Sequence, residues 1–328
     1  MSNIVRLCRQ PYLDEQSYKN TLQQFAQDYE ILATKIIEQA DNPRDKAALF
    51  DAWADQLWCT FQLRFTAGDN LEDLAHYLSK VVEAYERYVE ARNSVPANEY
   101  RPPFVLDLAI DIYVDYLNLL SAAVLLHRED LLPRICALNE GTEYDKSDAV
   151  IEEIFFFYLP DRPTLDGWFW KAYTPILDAI DQDTPADRAK AMGKFVKGWY
   201  KSMKGVAHFW GKHEEIKPEF SPYFGYWAMC AAAFTYLYDI DDSKYRDELV
   251  YPKDLVDFAR KKPRQLLKLK DGRAILRVLG GQRCPESGQW FSPAKEDSTR
   301  HFRTNELMPT IEFEYGQIIW QLLSADSK

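Results

Sequence analysis

The stretch from Phe224 to Tyr238 has apolar, aromatic or small side chains on every side and carries no charge. A helix that is apolar all round is buried, because a surface helix keeps a polar face toward water. This stretch leads directly into the sequence Asp239-Ile240-Asp241-Asp242, and a helix start at Tyr251-Pro252 follows. The fold must therefore be large enough to enclose a whole helix, and that helix delivers an acidic turn to the surface.

Apolar residues recur three or four positions apart from Ser17 to about Arg260, which predicts α-helices over most of the chain. Asn70 is placed to cap a helix that ends before Pro96, and Thr184-Pro185 marks another helix start. Short helices joined by proline-containing turns predict a mainly α fold, a multi-helix array or bundle. The helices predicted after residue 100 are Phe104–His127, Glu129–Asn139, Lys146–Tyr158, Leu165–Asp181, Pro185–Tyr200 and Phe224–Tyr238.

The composition changes after Arg260. A basic cluster is followed by Arg273–Leu279, which alternates loosely as a strand does, and then by a turn rich in glycine and proline. We therefore expect a helical domain over residues 1–263, with N-terminal helices in 1–95 and a core in 100–260. Residues 264–328 are predicted to form a small β-rich C-terminal module, which should dock on the helices because so small a unit has little stability alone.

The formal net charge is −11, and most of the acidic excess lies in residues 1–150. An acidic body repels nucleic acid and anionic membranes and attracts a basic partner, although solubility alone is an equally simple use of the charge. The longest apolar run, Leu117–Leu126, is interrupted by Asn118 and Ser121 and is too short to span a membrane. We expect neither a nucleic-acid partner nor a membrane partner.

The cysteines and the first residues indicate the compartment. Five cysteines are scattered singly along the chain, without the paired spacing of a metal or redox motif. Isolated cysteines suit a reducing environment, and residues 1–12 show no apolar run of a secretory signal. We expect a cytoplasmic protein.

Two groups of aspartates are candidate binding residues. Asp107, Asp111 and Asp115 are spaced four apart on the helix predicted over Phe104–His127, so they would form one acidic ridge. This ridge either is a solvated face paired with cations of neighbouring helices or faces a partner. The second group is the acidic turn, whose carboxylates are Asp239, Asp241 and Asp242.

The acidic turn has three interpretations. It can end a helix and pair with Lys244 or Arg246, it can form an acidic patch for another protein, or it can hold Mg²⁺ or Ca²⁺. An EF-hand loop starting at Asp239 would need a glycine and a glutamate where Lys244 and Val250 stand. The metal interpretation is the basis of an alternative function, a metal-dependent helical enzyme that uses Asp239, Asp241 and Asp242.

The sequence offers no other chemistry of a known kind. The patterns GxSxG, GxxxxGK[ST] and GxGxxG are absent, and His208 and His213 lack the spacing of a zinc protease. Cys284 has no second cysteine nearby with which to bind zinc. We therefore predict no catalytic residue, no resident metal and no cofactor, and expect a protein that is not an enzyme.

The stretch around the apolar helix contains a series of motifs in order, which are Tyr226-Trp227, Ala231–Ala233, Tyr236-Leu237, Asp239–Asp242, Tyr251-Pro252 and Asp254–Val256, with Trp199–Lys201, His208, Trp210 and His213 upstream. This series resembles the C-terminal motif of PoNi-type immunity proteins, which protect bacteria from a cognate polymorphic toxin. Residue 230 departs from this pattern, because Cys230 stands where the family has a glutamate. The C-terminal module also resembles those of other immunity proteins. The resemblance covers about residues 100–260.

The resemblance implies an immunity protein whose partner is a cognate toxin or effector protein. We expect that toxin to be a basic, nuclease-like protein that acts in the cytosol and is delivered by a secretion system, the type VI system. The immunity protein would block it by covering its active site with acidic surface. The residues expected to contact it are Asp107, Asp111, Asp115, Asp239, Asp241 and Asp242.

Overall fold

The computed structural model describes residues 8–38, 42–96, 101–159, 162–262, 276–292, 298–310 and 318–326. Ten α-helices and one four-stranded antiparallel sheet lie in these ranges, which confirms a mainly α fold with a small β-rich C-terminal module. The helices are α1 (Glu15–Glu38), α2 (Pro43–Ala67), α3 (Leu71–Arg92), α4 (Ile110–Leu125), α5 (Leu132–Ala137), α6 (Ala149–Phe155), α7 (Thr174–Ile180), α8 (Pro185–Ser202), α9 (Met229–Leu237) and α10 (Lys253–Arg260). The strands are β1 (Arg277–Leu279), β2 (Gly288–Phe291), β3 (Arg300–Phe302) and β4 (Ile319–Ala325).

Two helix starts that the sequence marked with a capping residue are formed as predicted. Asn70 caps α3, since its side-chain oxygen accepts the backbone N–H groups of Glu72 at 2.8 Å and Asp73 at 3.2 Å. Thr184 caps α8 in the same way, with Pro185 at the first helical position. These side chains satisfy backbone donors that have no partner inside the helix.

Several helices after residue 100 are shorter than predicted. The fourth begins at Ile110 rather than Phe104, because side chains from later segments donate hydrogen bonds to the backbone carbonyls that precede it. Asn139 donates to the carbonyl of Phe104 at 3.1 Å, and Trp170 donates to that of Leu106 at 2.7 Å. Tertiary contacts therefore hold this segment as a turn, although its local pattern is helical.

Helices α4 and α9 form the centre of the molecule. Every residue of α9 is buried, as the uniformly apolar sequence predicted, and nearly all of α4 after Asp115 is buried with it. These two helices pack on each other, and α10 and α8 also pack on α9. The N-terminal helices α1, α2 and α3 form a layer in which α2 contacts both neighbours.

Residues 8–13, which we call the N-terminal segment, tie this layer to residues 226–254. The buried Gln10 amide donates to the carbonyls of Leu249 at 2.8 Å and Tyr226 at 3.2 Å, and its oxygen accepts the N–H of Tyr226. Arg9 donates to the carbonyl of Phe65 and pairs with Asp254 at 3.1 Å. The segment therefore links α2, the loop before α9 and α10.

The sheet has the strand order β1-β4-β2-β3, with all neighbours antiparallel. Its buried side chains, among them Trp290, Phe302 and Trp320, form a small core separate from that of the helices. Much of the basic cluster predicted after Arg260 lies outside the described residues. No helix in the described ranges is long and apolar enough to cross a membrane.

Candidate partner-binding site

A cavity of about 240 Å³ lies between α2, α4, the end of α8 and the segment from His208 to Trp227. Asp111, Asp115 and Asn118 line it from one face of α4, spaced by four and then three residues. We call it the Asp115 cavity. Its edge carries His208, whose side chain is 87% exposed, so the cavity reaches the surface there.

Asp111 fixes the rim of the cavity. Its two carboxylate oxygens accept the backbone N–H groups of His208 and Phe209, both at 3.1 Å, and the His208 ring nitrogen Nδ1 lies 3.3 Å away. The carboxylate thus holds the turn after α8 against the start of α4. Asp111 positions the cavity wall, and both of its oxygens are engaged in that task.

Asp115 lies deeper and is only partly satisfied. Its Oδ1 accepts the indole N–H of Trp58 at 2.8 Å and the amide of Gln62 at 3.2 Å. Its other oxygen, Oδ2, has no hydrogen-bond or ion-pair partner among the described residues. The pKa of Asp115 is raised to about 7, mainly by burial and also by the nearby charges of Asp55 and Asp111. The hydrogen bonds from Trp58 and Gln62 lower it by less than burial raises it.

The opposite wall of the cavity is aromatic. Trp199 and Phe209 stack with ring centroids 5.7 Å apart, and Trp227 packs edge-on against Phe65. The indole N–H of Trp227 donates to Thr66 Oγ1 at 2.8 Å, so the ring has a fixed orientation. The cavity therefore combines an unpaired carboxylate oxygen with rigid aromatic surfaces.

The raised pKa of Asp115 predicts a pH dependence of stability. Asp115 keeps its proton more readily in the folded state than in the unfolded chain, so the folded state loses stability as pH rises from about 4 to about 7. Asp115→Asn keeps the acceptor for Trp58 and Gln62 but cannot ionise. The shift from 3.8 to about 7 corresponds to roughly 4 kcal/mol at most.

We expect Asp115→Asn to raise the free energy of unfolding at pH 8 by about 1–4 kcal/mol and to change it little at pH 4. Urea unfolding of the two proteins at a series of pH values measures this difference. An equal stability of variant and wild type across that range would show that the folded state does not disfavour the charge.

The acidic turn separates its three carboxylates. Asp239 is exposed, with a positive φ of 51°, and Asp241 is exposed and accepts the backbone N–H and hydroxyl of Ser243, both at 3.0 Å. These bonds lower the pKa of Asp241. Asp242 is 3% exposed and pairs with Arg260 at 2.9 Å and Arg246 at 3.4 Å.

This geometry corrects one expectation, the surface role of Asp242, and weighs against the metal interpretation of the turn. Asp242 cannot contact a partner at the surface, because it is buried and anchors α10 to the turn through Arg260. The three aspartates of the turn do not converge on one point, and the described residues contain no group of three His, Cys, Asp or Glu side chains that could hold a metal ion. The arrangement fits helix termination by ion pairing, one of the interpretations of the sequence.

The predicted ridge is also divided. Asp111 and Asp115 lie on one face of α4 as expected, but Asp107 precedes the helix and is exposed, where it accepts the Tyr144 hydroxyl at 2.7 Å. The sequence did not indicate Asn118 or the aromatic wall as site residues. The only signal was Asn118 itself, a polar residue that interrupts an apolar run three positions after Asp115.

A larger groove of about 740 Å³ lies between α1, α2 and α3. Its walls are mainly apolar and include Phe25, Trp53 and Tyr77, while its rim carries Glu30, Glu83, Lys80 and Arg87. The mixed charges at this rim favour neither a basic nor an acidic partner. The Asp115 cavity is the more specific candidate.

Comparison with known proteins gives a fold relative and a family. The fold resembles that of protein PA2201 from Pseudomonas aeruginosa, with a TM-score of 0.55 and 18% identity over 79% of this chain and 94% of that one. No curated protein matches the chain. Residues 146–255, which supply the aromatic side of the Asp115 cavity, match the family described as PoNe immunity proteins (PoNi), C-terminal, and this confirms the resemblance seen in the sequence.

Proposed function

We propose that this chain is an immunity protein that binds a cognate toxin and neutralises it by covering the toxin's active site with acidic surface. The observation that carries the proposal is the family match over residues 146–255, which supports an immunity role and a toxin as partner. The net charge of −11 supports the electrostatic part. The family match also favours a protein that binds rather than catalyses.

The class of toxin follows from charge complementarity. A nuclease presents lysine and arginine side chains to phosphate groups, and an acidic surface can occupy the same groove without being cut. We therefore propose a basic nuclease delivered by a secretion system, the type VI system, as the partner. Asp107, Asp239 and Asp241 are exposed and would attract it, whereas Asp111 and Asp115 would meet it at the Asp115 cavity.

An immunity protein must be present where its toxin acts, and a nuclease acts in the cytoplasm. The five cysteines are free thiols, which suits a reducing compartment.

We also propose the division predicted from the sequence, a helical domain over residues 1–263 and a β-rich module over 264–328. The separate core of the sheet supports that division.

Charge reversal of the exposed aspartates tests the proposal. The partner is the toxin encoded beside the gene for this chain, expressed in bacteria with or without the chain. We expect wild type to restore growth and Asp107→Lys with Asp241→Lys to slow association roughly tenfold or more, because steering depends on these charges. Growth curves and stopped-flow association at two salt concentrations measure both effects.

A matched control reverses the same amount of charge elsewhere. Glu83 on α3 and Asp183 before α8 are exposed, and the double change Glu83→Lys with Asp183→Lys should leave association within about twofold of wild type. If both double variants slowed association equally, the effect would depend on net charge alone and not on the positions of Asp107 and Asp241. Absence of protection by the wild-type chain would contradict the immunity function itself.

A further inference from the structure

Two polar groups in the Asp115 cavity lack partners. Asp115 Oδ2 accepts no hydrogen bond from any described residue, and Asn118 is 4% exposed with no hydrogen bond to its side chain among the described residues. Both groups line the same cavity from adjacent turns of α4. Neither group is among the fully enclosed side-chain atoms of the described residues that lack a partner, so both face the open cavity, where a ligand or water can meet them.

The chemistry of the walls restricts the ligand. An anion would be repelled by Asp111 and Asp115, and an apolar group would leave the Asp115 oxygen and the Asn118 amide unsatisfied. Lys212 also lines the cavity, but its ammonium group is held 2.8 Å from both carboxylate oxygens of Glu215. A group with several N–H donors and a positive charge satisfies the two acceptors that remain, Asp115 Oδ2 and the Asn118 amide oxygen.

We propose that the Asp115 cavity receives the cationic head of an arginine or lysine side chain presented by the partner protein. Asp115 Oδ2 accepts its N–H donors, the Asn118 amide oxygen accepts a further one, and the aromatic wall of Trp199, Phe209 and Trp227 lies beside the cation. Aromatic faces attract ammonium and guanidinium groups, most strongly in desolvated sites. This inference rests on the proposed function, because it identifies a contact made by the toxin.

The energetics of the cavity agree with this assignment. Burial holds the pKa of Asp115 near 7, so the fold tolerates a carboxylate whose charge costs stability. Sites kept at such a cost are commonly functional. The other titratable or charged groups around the carboxylate are Cys59, Asp55, Asp111, Tyr85, Tyr173, His208 and Lys212.

Small probes test the cavity without the toxin. The probes are Nα-acetyl-arginine amide, Nα-acetyl-lysine amide and the neutral arginine isostere Nα-acetyl-citrulline amide. The reporter is the NMR signal of the Trp58 indole N–H, which donates to Asp115 at 2.8 Å and is assigned with Trp58→Phe. We expect a saturable shift with the two cationic probes, with a dissociation constant on the order of 1 mM, and none with citrulline.

Three variants of the full chain complete the experiment. Asp115→Asn keeps the bonds to Trp58 and Gln62, and we expect it to weaken binding of the cationic probe at least about tenfold. Asn118→Leu, similar in size, should weaken it roughly fivefold. Asp183→Asn, an exposed control, should bind as wild type does. Stronger binding of the arginine probe than of the lysine probe assigns the guanidinium group, and the reverse order assigns the ammonium group.

The outcomes separate the cavity from the immunity function. Equal shifts with citrulline, unchanged binding in Asp115→Asn, or no saturable shift at about ten times the expected dissociation constant would each overturn the cavity proposal. Binding that depends on Asp115 in a chain that fails to protect cells would leave the cavity proposal standing and overturn the immunity function. Unchanged toxin affinity in Asp115→Asn would show that the toxin does not use the cavity.

Discussion

Arg162→Leu is expected to lower the free energy of unfolding by about 3–5 kcal/mol, because it leaves a buried carboxylate without its cation. Glu152 on α6 is 2% exposed and Arg162 is 8% exposed. Arg162 Nε donates to Glu152 Oε2 at 2.6 Å, and its Nη2 donates to Glu152 Oε1 and lies 3.2 Å from Asp145 Oδ1. Urea unfolding followed by circular dichroism measures the loss.

The double variant Glu152→Leu with Arg162→Leu is the control. Replacing both members of a buried ion pair by apolar residues of similar size is often neutral, so the double variant should recover most of the stability lost in the single one. A double variant as unstable as Arg162→Leu would show that the arginine acts through its packing on Phe155 instead.

Loss of this pair should also affect the acidic surface. The pair joins α6 to the loop that continues to Trp170, and the Trp170 indole donates to the carbonyl of Leu106, next to Asp107. Arg162→Leu is therefore expected to loosen the turn that presents Asp107. Faster amide hydrogen exchange at residues 104–109 would reveal it.

Gly225→Ala is expected to destabilise the fold by roughly 3 kcal/mol or more. Gly225 has a φ of 108°, and a Cβ atom there would lie 2.1 Å from Trp227 Nε1 and 2.4 Å from Thr66 Oγ1. Those two atoms are hydrogen-bonded to each other, and Thr66 also donates to the carbonyl of Phe224. An added methyl group would have to break this arrangement beside the Asp115 cavity.

Gly211→Ala is the control that separates the steric clash at Gly225 from backbone strain. Gly211 also has a positive φ, 81°, but a Cβ there would have no atom within 4 Å. We expect it to cost about 1–2 kcal/mol, which is backbone strain alone. Thermal unfolding of both variants provides the comparison, and equal losses would exclude the clash with Trp227 as the main cause.

The sequence predicted the parts of the fold that depend on local rules. Asn70 and Thr184 cap helices because cap chemistry involves only neighbouring residues, and α9 is buried because its own composition requires it. The predicted start of α4 was wrong by six residues, since the backbone carbonyls of Phe104 and Leu106 accept hydrogen bonds from side chains distant in sequence. The spacing of apolar residues along the sequence carries no information about such contacts.

The candidate site was only partly predictable for the same reason. The spacing of Asp111 and Asp115 correctly indicated a shared face, because both lie inside α4. That Asp242 faces Arg260 instead of solvent depends on how α10 returns to the acidic turn. The cavity itself exists only where segments from α2, α4 and residues 208–227 meet, and no pattern within one segment reveals it.

The N-terminal segment has a consequence for synthesis. Gln10 precedes Tyr226 and Leu249 by more than two hundred residues along the chain, yet its amide bonds to both of their carbonyls. A nascent chain cannot close its core before that point, and the walls of the Asp115 cavity assemble at the same late stage. Closure of this core therefore waits for synthesis of the chain as far as Leu249.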